Sequence, residues 1–162
     1  GRCLEIAPSG SLKIDPLNFY AFQEACAIST SLTLSTFEKN KTVHLALATH
    51  MTPVCDCFGF TGLPVLRDEG VFGSDDIVAI DKAVLDKTAV LPLLTDHVPD
   101  CFEPQPIDAH PFAQLHGPYK DPYMVVRYGE KLGLGSQDYE LVDVLPYKRE
   151  RPGGSGFYVS AH

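Results

Sequence analysis

The apolar pattern divides the chain into a few regular stretches separated by long intervals rich in Pro and Gly. Asp15-Pro16 is a helix start, with Asp suited to the cap and Pro to the first helical position. Phe19, Phe22, Ala25, Cys26, Leu32 and Leu34 then predict a helix over Leu17 to Phe37. The Ser and Thr residues in its middle compete for its backbone hydrogen bonds. Thr42 to Thr49 (TVHLALAT) has the length and apolarity of a buried strand. His50 to Pro64 (HMTPVCDCFGFTGLP) reads as a loop leaving that strand. Gly70 to Asp76 (GVFGSDD) predicts a short strand and a turn. Ser74 or Asp75 can cap a helix from about Asp76 to Leu91, with Ile77, Ile80, Val84 and Leu85 on one face and Pro92 ending it.

Thr95 to Lys120 is a long irregular stretch rich in Pro and His, of a length associated with functional loops. Asp121-Pro122 repeats the start signal for a helix ending near Leu132, with Gly133 as its C-cap. Tyr139 to Leu145 (YELVDVL) alternates like a final strand, and 147–162 reads as a flexible tail. Helices alternating with strands predict an α/β fold, a mixed or parallel sheet flanked by about three helices. A single compact domain is expected over 15–146, with 1–14 before it. This order places Cys55 and Cys57 just beyond a strand end, where ligands of open α/β sheets bind.

Composition narrows the possibilities. The 162 residues suit one domain, and 44% hydrophobic with 21% charged residues is ordinary for a soluble globular protein. No apolar run reaches the ~18 residues of a membrane span, so no membrane partner is expected. A net charge of −8 argues against nucleic acid; only Tyr147 to Arg151 (YKRER) is locally basic, and it reads as a solvated tail. Cys3, Cys26, Cys55, Cys57 and Cys101 are odd in number and too sparse for a disulfide scaffold. They are read as reduced thiols in a cytoplasmic setting.

The chemistry-bearing residues gather around Cys55-Asp56-Cys57. Two thiols one residue apart can converge on a metal or cluster from a loop, and a metal would deprotonate them. Asp56 between them disfavours a bare thiolate by repulsion, and the spacing is not that of a C-x-x-C redox pair. Spacing alone is equally consistent with two structural thiols. His50, five residues before Cys55, can add a nitrogen ligand. Asp68 and Asp81 are candidate binding carboxylates. Asp81 sits on the apolar face of its helix, where a buried carboxylate needs a partner. Asp76 and Asp86 are read as cap and surface groups, and Gly133 to Ser136 as a C-cap turn rather than a phosphate loop. His97, Cys101, His110 and His116 share one loop at spacings that match no metal motif, and the histidines are read as solvent-exposed.

Two longer patterns carry a resemblance. Cys3, followed by Ala7-Pro8, matches the trailing half of the ferredoxin pattern C-x2-C-x2-C-x3-C-P, with Ala7 in place of its fourth cysteine. The chain, which starts with Gly, is therefore expected to begin inside a cluster motif, making 1–14 its remnant. Thr52 to Asp86 (TPVCDCFGFTGLPVLRDEGVFGSDDIVAIDKAVLD) and Arg127 to Val142 (RYGEKLGLGSQDYELV) resemble the domain of unknown function 362 family, described as iron–sulfur centre proteins. Cys55, Asp56, Cys57, Pro64, Asp68, Gly70, Ser74, Asp76, Val78 to Asp81 and Asp86 match its pattern. Val54 and Gly62 replace acidic residues of the family, and Ile77 replaces a Pro. The resemblance implies an iron–sulfur cluster in the intact protein, electron transfer, and a redox partner protein or small molecule. Cys55, Cys57, Cys3 and His50 would be metal or cluster ligands, with Asp56, Asp68 and Asp81 beside them. The competing expectation is a divalent-metal enzyme or small-molecule binder without a redox role.

Overall fold

The computed structural model describes residues 6–13, 15–55, 57, 59, 61–117 and 119–144. The expectations for Cys3, for Asp56 and for the tail at 147–162 fall outside these residues. Helix α1 (Pro16–Leu34) starts where the Asp-Pro signal places it, with Asp15 Oδ1 accepting the Leu17 amide at 2.9 Å. It stops three residues short of Phe37. There the Ser35 and Thr36 hydroxyls take the carbonyls of Leu32 and Thr33 at 2.7 Å, offering the chain an exit from the helix. Only Ala27 is fully buried on α1, because the helix packs chiefly against one neighbour, the later helix α4 (Met124–Lys131).

Strands β1 (His44–Ala48) and β2 (Gly70–Ser74) pair antiparallel, with His44 opposite Ser74 and Ala48 opposite Gly70. The sheet is antiparallel rather than mixed or parallel: among the described residues no α-helix lies between the strands, and a parallel return requires a crossover, usually helical. The mixed helix-and-strand character holds, but the described sheet has two strands only. β1 is also not the buried strand expected. Helix α2 (Ile77–Ala89) packs on one face of the sheet, and Leu45, Leu47 and Val71 on the other face are 69%, 67% and 66% exposed.

The α2 cap is Asp76, not Ser74 or Asp75: its Oδ1 accepts the amides of Val78 and Ala79 at 2.8 and 2.9 Å. The stretch from Thr95 to Lys120 is less irregular than its composition implies. It holds a 3₁₀ turn (Thr95–His97) and helix α3 (Pro111–His116). Helix α4 ends in the Schellman arrangement expected at Gly133, whose φ is +73°, with the Leu134 amide donating to the Gly129 carbonyl at 3.0 Å. No strand forms over 139–144; Leu141, Val142 and Val144 stay exposed, since alternation without a neighbouring edge gives a strand nothing to pair with.

Two contact regions hold these elements. Val65, Leu66 and Leu115 form a cluster backed by Met51, Leu91, Leu93, Val98, Phe102 and Phe112, so it is built largely from connecting segments. The second lies between helices, where Val78 of α2 comes so close to Gly129 of α4 that a Cβ there would sit 3.1 Å from Val78 Cγ2. Among the described residues, no helix is long and apolar enough to cross a membrane.

Candidate functional site

The segment between the strands is a loop with a tied neck. The Glu69 amide donates to the Ala48 carbonyl and the Val65 amide to the Met51 carbonyl, each at 2.8 Å. Between these two ties, His50 adopts a left-handed backbone (φ 51°) and its amide donates to Asp68 Oδ1 at 2.7 Å. The short turn after α2 clamps the far shoulder. Leu94 donates its amide to the Val65 carbonyl at 2.9 Å, and His97 Nδ1 meets the Pro64 carbonyl at 2.8 Å. A carbonyl only accepts, so His97 Nδ1 carries the proton.

Cys55 and Cys57 lie at the exposed end of this loop. The Cys57 amide donates to Cys55 Sγ at 3.4 Å. Of the other expected site residues described, His50 and Asp68 meet each other at the neck through the amide–carboxylate bond. Among the described residues, no three His, Cys, Asp or Glu side chains gather closely enough to hold a metal ion.

Asp81 stands apart from the loop. It lines a small recess of about 40 Å³ between α1, α2 and α4, beside Ala27, Thr30, Val125 and Leu134. The recess has room for water rather than a substrate. Asp81 is exposed rather than buried as expected, yet desolvation by the neighbouring helices still pushes its carboxyl above its ordinary value, partly offset by His44.

The other motif residues join to one another. Asp76 Oδ2 accepts the Ser136 amide at 2.9 Å, and a Cβ on Gly135 would fall 1.9 Å from Asp76 Oδ1. Gly133 to Ser136 is thus a cap turn as expected, and the amide of Ser136 is already bound to an internal carboxylate. Asp86 is more than a surface group: it pairs with Lys82 and accepts the hydroxyls of Tyr123 at 3.0 Å and Tyr139 at 2.8 Å. Burial works to raise its carboxyl, but hydrogen bonds from Lys82, Tyr139 and Tyr123 outweigh it and hold the pKa low. Burial, then the Asp86 contact, pushes both tyrosine hydroxyls up. These links tie the two long motif segments together. No periodicity signalled them, because Asp86 and Tyr139 lie far apart in sequence.

The histidines of the long loop are not solvent-exposed as expected. His110 is only 8% exposed, and His97 and His116 are half-buried; Cys101 is exposed. His116 packs edge-on against Phe102, with ring centroids 5.4 Å apart. Burial, then Lys120, lowers its pKa, while the Pro53 backbone pulls it back up. Because Pro lacks an N–H, that group is the Pro53 carbonyl, at the near end of the cysteine loop. His97 and His116 therefore address the two ends of the loop, a juxtaposition their spacing could not disclose. No family model, curated protein or solved structure matches this chain.

Proposed function

We propose that this chain is part of an iron–sulfur-associated protein of the domain of unknown function 362 type. In this reading it takes part in electron transfer, in the reducing setting its cysteines imply, with a redox partner protein or small molecule. Cys55 and Cys57 supply two thiolates from the loop tip. The observation that carries the reading is the Cys-x-Cys turn itself: two exposed sulfurs, one holding an amide N–H, on a loop fixed at its neck. Hydrogen bonds to sulfur are among the features that tune thiolate-bound clusters.

The described residues fit a shared site rather than a closed one. Two thiolates make half of a four-cysteine set, and the remaining ligands would come from outside the described residues. A bound cluster would supply one-electron chemistry. The chain's own part is to hold the two sulfurs outward, with His50 and Asp68 fixing the neck. A divalent-ion enzyme built on Cys55, Cys57, Asp68 and Asp81 has less support, because Asp68 is committed to the His50 amide and Asp81 lines the helical recess.

The test is anaerobic reconstitution of the full-length protein with iron and sulfide. Stoichiometric iron and acid-labile sulfide are expected, lost in the Cys55→Ser/Cys57→Ser variant. Failure to bind either element, or full retention by the double variant, refutes the assignment.

A further inference from the structure

His110 caps α3 from a position sealed against α2. Its Nδ1 accepts the Phe112 amide at 3.2 Å, so that nitrogen must carry a lone pair. Its Nε2 lies 3.0 Å from Thr88 Oγ1. Thr88 in turn spends its hydroxyl hydrogen on the carbonyls of Val84 at 2.8 Å and Leu85 at 3.1 Å. The Thr88 oxygen is thus left to accept, and the imidazole is the neutral tautomer with its hydrogen on Nε2. A second proton can enter only at Nδ1, where the Phe112 N–H already points. Two N–H groups would then face each other and the cap would be lost.

The groups around the ring come from three directions. From α2 come Asp86, already bound to Lys82, and the Leu85 backbone. From the start of α4 come Asp121, which pairs with Arg127, and the Tyr123 ring, edge-on at 5.9 Å. Phe112 of α3 itself stacks on the imidazole at 5.4 Å. The two carboxylates favour a charged imidazole, but each is partly neutralised by its own cation. Burial is the larger influence and keeps His110 below its ordinary value.

What α3 carries gives the cap a wider reach. Leu115 is buried in the cluster with Val65 and Leu66, and Val65 is the residue whose amide ties the loop neck to Met51. Gln114 adds a link to the preceding segment by accepting the Gln105 amide at 2.8 Å. The six residues of α3 are too few to persist as a helix without these attachments.

We propose that His110 is an acid-operated latch: neutral, it pins α3 to α2, and protonated, it releases α3 and the packing beneath the Cys55–Cys57 loop. The latch does not depend on the iron–sulfur reading. It is tested by hydrogen–deuterium exchange of the full-length protein, expressed as protection factors so that the intrinsic pH effect is removed. Protection of 111–117 should fall several-fold between pH 7.5 and 5.5, toward the roughly tenfold that one imidazole can supply, while 77–89 changes less than about twofold. His110→Asn supplies an oxygen able to accept the Phe112 amide but does not titrate there, and it should remove most of the pH dependence, leaving the part that His116 contributes. Equal loss across both segments in the native protein, or an unchanged fall in the Asn variant, overturns the proposal. Should that variant fail to fold, the imidazole ¹⁵N resonances of the native protein decide: a hydrogen on Nδ1 at pH 7.5 rules the latch out, and one on Nε2 alone supports it.

Discussion

Asp76 does the work of two residues with one carboxylate. Oδ1 caps α2 through Val78 and Ala79, and Oδ2 holds the Ser136 amide across 60 residues of sequence. Replacing it with Ala should cost about 1–3 kcal/mol, the loss of a cap together with a stranded amide. Gly135→Ala should cost a similar ~1–3 kcal/mol, because the new Cβ collides with the Asp76 carboxylate. The two effects are one event, so most of the Gly135→Ala cost should vanish in an Asp76→Ala background. A urea double-mutant cycle measures this, and strict additivity would contradict the contact.

Single residues also set the response to pH, in opposite senses. His110 and His116 titrate below the ordinary 6.5 when folded. Below that value the unfolded chain binds more protons than the folded one, so stability present at pH 7 should fall as acid is added. Asp81 is raised above 3.8 when folded, so its charge weakens the fold as pH climbs through the raised value. Asp81→Asn should therefore raise the urea midpoint at pH 7, corresponding to roughly a few tenths of a kcal/mol of unfolding free energy after solvent screening, with the gain shrinking toward pH 4. A lower midpoint at pH 7 would mean that the carboxylate has a stabilising partner.

At the scale of elements, local chemistry was legible and long-range chemistry was not. Asp15-Pro16, Gly133 and the position of β1 act through neighbours within a few residues, and each stands where the sequence placed it, although β1 is not buried. The antiparallel pairing, the open outer face and the missing strand after Tyr139 depend on which elements meet, information that one-dimensional periodicity lacks. The loop itself was legible as a loop. Its neck was not, because the His50–Asp68 bond needs a left-handed His that no spacing signals. This neck gives an element-scale prediction. Asp68→Ala should cost about 1 kcal/mol and speed alkylation of Cys55 and Cys57. Asp68→Asn, which retains an acceptor, should restore both. Equal alkylation rates in all three proteins would show that the neck does not govern the tip.

Over the whole molecule, the apolar residues are unevenly spent. Val65, Leu66 and Leu115 are buried, whereas Leu45, Leu47 and Val71 lie together on the open sheet face, with Leu17, Phe22 and Leu32 exposed on α1. Neither strand carries the Pro or Lys that commonly guards an edge. At high concentration the protein should therefore aggregate through this face, and Leu47→Lys should raise the onset several-fold while leaving circular dichroism unchanged. Light scattering against concentration measures it; an unmoved onset would place the sticking surface elsewhere.

The tie between Glu69 and Ala48 has a mechanical consequence. It lies next to the Ala48–Gly70 pair, so loop and sheet form one continuous ladder. A pull on the loop tip therefore loads the strands at one end, like a zipper, and the bonds must open one after another from the neck toward His44 and Ser74. A sheet loaded this way yields gradually rather than by shearing all its bonds together. Whatever grips Cys55 and Cys57 would feel a compliant tether, whose stiffness is set by the order in which those bonds give way.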